Sequence, residues 1–448
     1  MEYSGKKISI IGAVRSGIGA AKLIKKINGI PFVSDASDNE KIKKSVEILQ
    51  SHNIKYEIGG HTSQVYNCDL MVVSPGVPLN SEIIKTARGK NIKIISELEL
   101  ASSVCKGNII AITGTNGKTT TTSLCGHVFN ACGAKTYTAG NIGLAFSEIA
   151  LEVKENEYAA VEVSSFQLDL IDKFKPKVAA ILNITPDHLN RYENNYQNYI
   201  TSKLRLYENQ DSDDFLIINR DNDVLVKSIT KHKGTDFYFS LSEQNQNGCY
   251  ILSEEIIFVK NEREEFRCSL SDINLRGEHN YANAMAVIIA AKLLGFENDK
   301  IIEGLRTFKG VEHRLEFVRE IEGVKYINDS KATNVDSVWY ALRSFDQPIY
   351  LILGGQDKGN DYNQIKDLVL NKVKKIYAIG SSADIVFNFF RHDVKVEIKQ
   401  TLEDVISAVN SEARKNDIVL LSPACASFDM FNDYEHRGKV FKEAVNKL

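Results

Sequence analysis

The sequence predicts an α/β protein built in three parts. Two observations carry that expectation. Short β-branched apolar runs recur along the chain and alternate with segments whose apolar residues fall at helical spacing. This pattern opens afresh twice, around a glycine-rich turn at residues 114–117 and again after residue 308. The three parts are 1–96, 97–308 and 309–448, with a soft boundary near residue 95, where the composition does not change. A chain of 448 residues accommodates two to four domains.

Composition narrows the function class. Hydrophobic residues make up 43% and charged residues 25%, as in soluble globular proteins. The net charge of −3 provides no global basic field for nucleic acid or anionic membrane. The seven cysteines are odd in number and widely spaced, without a Cys-x-x-Cys. That argues for reduced thiols in a cytoplasmic protein and against a disulfide framework or zinc site. No signal peptide precedes the strand-like run at Ile8, and no stretch reaches the roughly 18 apolar residues of a membrane span.

The first part opens as strand, glycine turn and helix over residues 7–28. Gly12 and Gly17 are present, but Val14 stands where a dinucleotide fingerprint needs its middle glycine. A Rossmann-like fold without a nicotinamide cofactor is therefore expected. A second strand, Pro31 to Ser34, ends at Asp35, which either meets a ribose or base or is a solvated turn acid. A third, Leu70 to Val73, runs into the turn Ser74-Pro75-Gly76 at a strand C-terminus, where open α/β sheets bind ligands.

In the central part the run Ile109 to Ile112 ends in Gly114-Thr115-Asn116-Gly117-Lys118-Thr119, and a helix follows. This order makes a phosphate-binding loop: glycines expose backbone N–H groups, and the helix N-terminus adds positive charge. Lys118 can reach outer phosphates and Thr119 can offer a hydroxyl to Mg²⁺. The standard pattern's first glycine is replaced by Ile112. Further strands are read at Ala159 to Val163, Val178 to Ile184 and Phe215 to Asn219, a hairpin-like region at 240–272 and a helix at 280–294. Glu162 sits near the end of a β-branched strand, where an acid is costly unless paired with a cation. His188 follows Pro186 at a strand mouth. Lys203 falls on the aromatic stripe Tyr196, Tyr199, Ile200 and Tyr207 of a helix over 195–208. It either snorkels to water or is a buried functional lysine, able as a neutral amine to add CO₂ and become a metal-binding carbamate. Asn280 and Asn283 open a helix, as caps or as nucleotide contacts.

In the last part, strands Lys325 to Asn328, Ile349 to Leu353, Lys375 to Ile379 and Ile418 to Leu421 alternate with helices, a second Rossmann-like unit. Three of them end in polar loops: Asp329 to Asn334, Gly354 to Lys358 and Ser422 to Ser427. Parallel strands put these loops on one edge of the sheet, where their lysines and hydroxyls suit a small polyanion such as a dicarboxylate. No Gly-x-Ser-x-Gly elbow is present.

Together these motifs resemble the Mur ligase family, the ATP-dependent amide-forming enzymes of peptidoglycan precursor synthesis. The phosphate loop matches that family's variant, including the absent first glycine. Glu162-Val-Ser-Ser-Phe-Gln-Leu168, Asn328 to Asn334 and Leu421 to Ser427 resemble its D-glutamate-adding branch. The resemblance implies a central ATP-binding domain between Rossmann-like N- and C-terminal domains. It implies that Gly114, Thr115, Asn116, Gly117, Lys118, Thr119, Thr120, Asn280, Asn283, Arg314 and Asp329 bind ATP. Glu162 with Thr119 would hold one Mg²⁺, and His188 with carbamylated Lys203 a second. Arg15, Ser16, Asp35, Ser74, Pro75, Gly76 and Asn141 would contact UDP-N-acetylmuramoyl-L-alanine. Lys331, Thr333, Lys358, Ser427, Phe428 and Tyr434 would surround D-glutamate. Ala36 and Ser37 depart from a common Thr-Arg, and Tyr434 from a common Phe. A cytoplasmic monomer that activates a carboxylate as an acyl phosphate is the resulting expectation. A sister ligase for another amino acid, a P-loop ATPase driving a partner and a nicotinamide oxidoreductase are the competing classes.

Overall fold

The computed structural model describes residues 3–275, 277–357 and 359–448. Lys358, an expected D-glutamate contact, lies outside them. Three sheets of five, nine and six strands form the framework. The first comprises β1 (Lys7–Ile11), β2 (Ile30–Asp35), β3 (Lys55–Ile58), β4 (Leu70–Val73) and β5 (Lys93–Ser96), in the order β3-β2-β1-β4-β5. All its pairings are parallel, and crossover helices cover it. Its central strands β1 and β4 are apolar runs buried almost throughout, as a sheet covered on both faces requires.

The second sheet comprises β6 (Asn108–Thr113), β7 (Thr136–Gly140), β8 (Tyr158–Glu162), β9 (Val178–Ile181), β10 (Phe215–Asn219), β11 (Thr235–Ser240), β12 (Gly248–Leu252), β13 (Glu255–Lys260) and β14 (Arg263–Ser269). Their order is β14-β13-β12-β11-β10-β9-β6-β8-β7. Pairing is parallel from β7 to β12 and antiparallel across β12, β13 and β14, where the chain turns back on itself in hairpins. The strand expected to run to Ile184 leaves the sheet after Ile181, because residues 183–185 wrap the phosphate loop. The helix expected over 195–208 is α-helical from Tyr196 to Leu204 and tightens into a 3₁₀ turn at Arg205–Tyr207.

The third sheet comprises β15 (Glu316–Ile321), β16 (Val324–Asn328), β17 (Ile349–Gly354), β18 (Val373–Ile379), β19 (Lys395–Ile398) and β20 (Ile418–Leu421). The order is β15-β16-β20-β17-β18-β19, parallel except for the edge strand β15. The chain forms two compact units. One holds residues up to 274 together with 280–308, and contains the first two sheets. The other holds 275–279 and 309–448, with the third sheet. All seven cysteines are free, and among the described residues no helix is long and apolar enough to cross a membrane.

Candidate active site

In the first unit the phosphate loop joins β6 to the helix Lys118–Ala131. Gly117 caps that helix in the left-handed region, at φ 83°, which glycine adopts without strain. A Cβ there would meet Asn283 Oδ1 at 2.5 Å, so Asn283 lies over the loop. Asn283 Nδ2 donates to Asn280 Oδ1 at 3.4 Å, and both are buried. The loop's shape is imposed by Asn183. Its Oδ1 accepts from the N–H groups of Thr115 (3.0 Å) and Asn116 (2.8 Å), and its Nδ2 donates to Asn116 O. Thr115 Oγ1 donates to Thr185 O at 2.9 Å. Lys118 Nζ folds back onto Gly114 O (2.8 Å) and Thr115 O (2.7 Å). Thr119 and Thr120 begin the helix and are buried. Ile112, the residue replacing the usual glycine, is an interior strand position beside Glu162 and Ala180.

Glu162 ends β8 between β6 and β7 and is only 1% exposed. Its Oε1 accepts from Asn141 Nδ2 at 3.0 Å, and its backbone oxygen from Asn141 N at 2.9 Å. Lys203 is 2% exposed, with Nζ donating to Gly114 O at 2.8 Å and 4.8 Å from the Tyr199 ring centroid. It does not snorkel. Burial first, then the nearby Lys118 charge, pushes its ammonium well below the usual lysine range, while Asp187 and Glu162 oppose this. Tyr199 OH lies 3.1 Å from Thr115 Oγ1, so the helix carrying Lys203 is fastened to the loop. His188 adopts φ 52° and its side chain is 40% exposed, with Nε2 3.6 Å from Asp187 Oδ2 and its ring edge-on to Phe166.

The β1 and β4 loops meet as neighbouring parallel strands require. Ser74 Oγ donates to Gly12 O, and Asp35 accepts from the N–H groups of Ala13 (2.7 Å) and Ser37 (2.8 Å). Asp35 is thus a brace for the 12–14 turn, not a solvated turn acid. Arg15 and Ser16 start the helix Arg15–Lys26, and Arg15 Nη1 donates to Gly143 O at 2.8 Å. Pro75 and Gly76 continue the turn after β4. Asn141, also expected near the UDP substrate, donates to Glu162.

In the second unit β16, β20 and β17 are adjacent, and their C-terminal loops lie side by side. Ser422 Oγ donates to Asp329 Oδ2 at 2.8 Å, and Gln356 and Ala426 exchange backbone hydrogen bonds. Burial raises the Asp329 carboxyl to about 6, against the lowering influence of Arg314, the Ser422 and Leu315 hydrogen bonds, and Arg437. Lys331 Nζ sits 5.2 Å from the Tyr434 ring centroid, and Lys331 N donates to His313 O. Thr333 is half-buried, Ser427 buried, and Phe428 69% exposed.

Two residues with no assigned role in the sequence reading organise these loops. Arg437 is buried and donates to Ser330 O, Ser330 Oγ and Cys425 O, joining the loops after β16 and β20. Asn183 shapes the phosphate loop. An asparagine closing an apolar strand is a weak signal for it; Arg437 lies on a polar helix and carries no signal in sequence.

Residues 7–83 match the MurD N-terminal domain, 112–291 the Mur ligase middle domain, and 313–425 the Mur ligase glutamate ligase domain. A UDP-N-acetylmuramoylalanine--D-glutamate ligase of Chloroherpeton thalassium is 41% identical over 464 aligned residues, covering 100% of this chain and 99% of the relative. Among solved structures, the UDP-N-acetylmuramate-alanine ligase MurC of Thermotoga maritima aligns with a TM-score of 0.64 at 18% identity, covering 99% of each chain. The MurF ligase of the same organism, solved in complex with ADP, aligns at 0.61 and 15% identity over 93% of this chain and 95% of that one. With three of its domains matched in order and a relative alike from end to end, the chain belongs to the Mur ligase family.

Proposed function

We propose that this chain joins D-glutamate to UDP-N-acetylmuramoyl-L-alanine, using ATP and releasing ADP and phosphate, through an acyl-phosphate intermediate. Residues 1–96 bind the UDP substrate, 97–308 ATP, and 309–448 D-glutamate. The observation that carries the reading is Lys203, a nearly fully buried lysine whose amine rests on the phosphate loop. A motor or switch ATPase has no use for a desolvated amine there. An enzyme that needs a carbamate does, because only the neutral amine adds CO₂, forming a C–N bond and releasing a proton. The 41% identical relative, a UDP-N-acetylmuramoylalanine--D-glutamate ligase, supports the substrates.

The donor set fits Mg²⁺. The buried Glu162 carboxylate and the Thr119 hydroxyl would serve as hard oxygen ligands, a carbamate on Lys203 would add another, and the His188 imidazole would be a further donor. Mg²⁺, when bound, offsets phosphate charge and makes the γ-phosphorus a better electrophile. The protein's own part is orientation and charge. Backbone N–H groups at the start of the helix, residues 117–119, and the Lys118 ammonium cradle the phosphates, so the substrate carboxylate can approach an otherwise repelling anion. Its oxygen attacks the γ-phosphorus and ADP leaves. D-glutamate, its carboxylates held by Lys331, Thr333 and Ser427, then attacks the activated carbonyl through its neutral amine; the acyl C–O bond breaks and phosphate departs with the amine's proton. Asn141 steadies Glu162 during this sequence.

The test is ADP release with UDP-N-acetylmuramoyl-L-alanine, in the presence and absence of D-glutamate. Sustained turnover only with D-glutamate is expected. Turnover indifferent to it, or satisfied equally by a diamino acid, defeats the reading.

A further inference from the structure

The structure assigns Glu97 a role as a positioning residue for the UDP end of the site, acting through the segment 140–147. We infer this from five hydrogen bonds and the packing of Gly19 against Ser147, and the inference rests on the substrate reading above.

Glu97 follows β5 as the first residue of the helix Glu97–Ser102, capped by the Ser96 hydroxyl. It is buried, and a carboxylate removed from water needs a specific partner. Its Oε1 accepts from Ser147 N at 2.6 Å. Ser147 is the second residue of the short helix Phe146–Ile149, so this N–H has no partner within its own helix. Glu97 therefore satisfies a helix end that belongs to the following sheet's crossover.

That helix end is the anchor of a bridge. Gly140 N donates to Leu144 O, and Ala145 N to Glu148 Oε2. In the middle of the segment, Gly143 O receives the Arg15 guanidinium. At its far end Asn141 meets Glu162. The helix that begins with Arg15 also presses on the anchor, since a Cβ at Gly19 would stand 2.6 Å from Ser147 Oγ. Arg15 is thus set by two surfaces, its own helix and the Gly143 carbonyl, and both register against Ser147. Removing the acceptor at Glu97 frees the anchor and lets Gly143 drift from Arg15. Burial raises the Glu97 carboxyl, against the lowering influence of its Ser147 hydrogen bonds, with Glu148 adding to the rise and Arg15 opposing it, which agrees with a group held for its contacts.

Calorimetry on the full-length protein tests the assignment, with UDP-N-acetylmuramoyl-L-alanine and ATP titrated separately. Loss of one charge-assisted contact predicts that Glu97→Ala weakens binding of the UDP substrate by about tenfold and leaves ATP affinity within about twofold. Glu97→Gln, which keeps an acceptor oxygen, should restore most of the UDP-substrate affinity. Gly19→Ala, which crowds Ser147 from the other side, should mimic Glu97→Ala and carries the test if that variant does not fold. Equal loss of both affinities, or an unchanged UDP-substrate affinity, overturns the assignment. Failure of the wild type to bind the UDP substrate at all would instead sink the substrate reading on which it rests.

Discussion

Replacing Lys203 by methionine separates a functional lysine from a structural one. The amine is 2% exposed and donates to Gly114 O at 2.8 Å. That carbonyl also accepts from Lys118 Nζ at 2.8 Å, so the substitution leaves no buried acceptor orphaned. The lost hydrogen bond is worth about 1 kcal/mol. Methionine fills nearly the same volume, and its sulfur can take over the Tyr199 ring contact for roughly 0.3–1.5 kcal/mol. Relief of the burial penalty on a polar amine contributes roughly 1–3 kcal/mol in the other direction. The net expectation is a fold unchanged or firmer by up to about 2 kcal/mol, a trade typical of residues kept for function at the expense of stability. Activity should fall by on the order of 10³, because both the amine and any carbamate on it are gone. Thermal melting and D-glutamate-dependent ADP release, measured on the same preparation, give the two numbers. A variant that melts several degrees lower and still turns over would refute the reasoning, for Lys203 would then be holding the helix and not the chemistry.

Three further outcomes follow from other parts of the structure. Gly117→Ala forces a side chain into a backbone at φ 83° and against Asn283 Oδ1, so ATP affinity should drop by roughly tenfold or more in a calorimetric titration. Glu99, buried on the same short helix as Glu97, accepts from the N–H groups of Asp172 (2.9 Å), Lys173 (3.0 Å) and Phe174 (2.9 Å). Glu99→Ala should destabilise the first unit by roughly 3–5 kcal/mol, read as a lower melting transition, with the second unit's transition unmoved. In the second unit, burial together with the Arg314 and Arg343 charges pushes His279 down to about 4. Its folded form therefore resists a proton that the unfolded chain takes up below about 6.5, and the stability it contributes is complete above that pH. As pH falls toward 4 the second unit should lose up to about 3 kcal/mol, and His279→Gln should flatten that slope in pH-dependent melting.

Parallel strands with apolar, β-branched sequences were legible almost to the residue, as at Leu70–Val73, Phe215–Asn219 and Ile418–Leu421. Each is buried on both faces, so hydrophobicity alone marks it. Thr136–Gly140 and Thr235–Ser240 escaped, because threonine, glycine and aspartate dilute the pattern, and the first of them is also an edge strand. The side-by-side loops of the third sheet were legible from connectivity, since parallel strands must share an edge. Burial of Lys203 was legible as one of two readings, from its place on an aromatic stripe; only packing decides between them. Asn183 on the phosphate loop, Arg437 across two loops and Glu97 on Ser147 were not legible. Each is a hydrogen bond between segments far apart in sequence, and no local period encodes such a partner.

The central claim is that ATP is spent on a carboxylate. It is tested most directly by labelling the alanine carboxylate of UDP-N-acetylmuramoyl-L-alanine with ¹⁸O and analysing the phosphate released during turnover with D-glutamate. Attack of that carboxylate on the γ-phosphorus, followed by cleavage of the acyl C–O bond by the amine, carries one labelled oxygen into each phosphate. Phosphate that carries the label in step with product formation is the predicted result. Unlabelled phosphate, with its new oxygen drawn from water, would contradict the account.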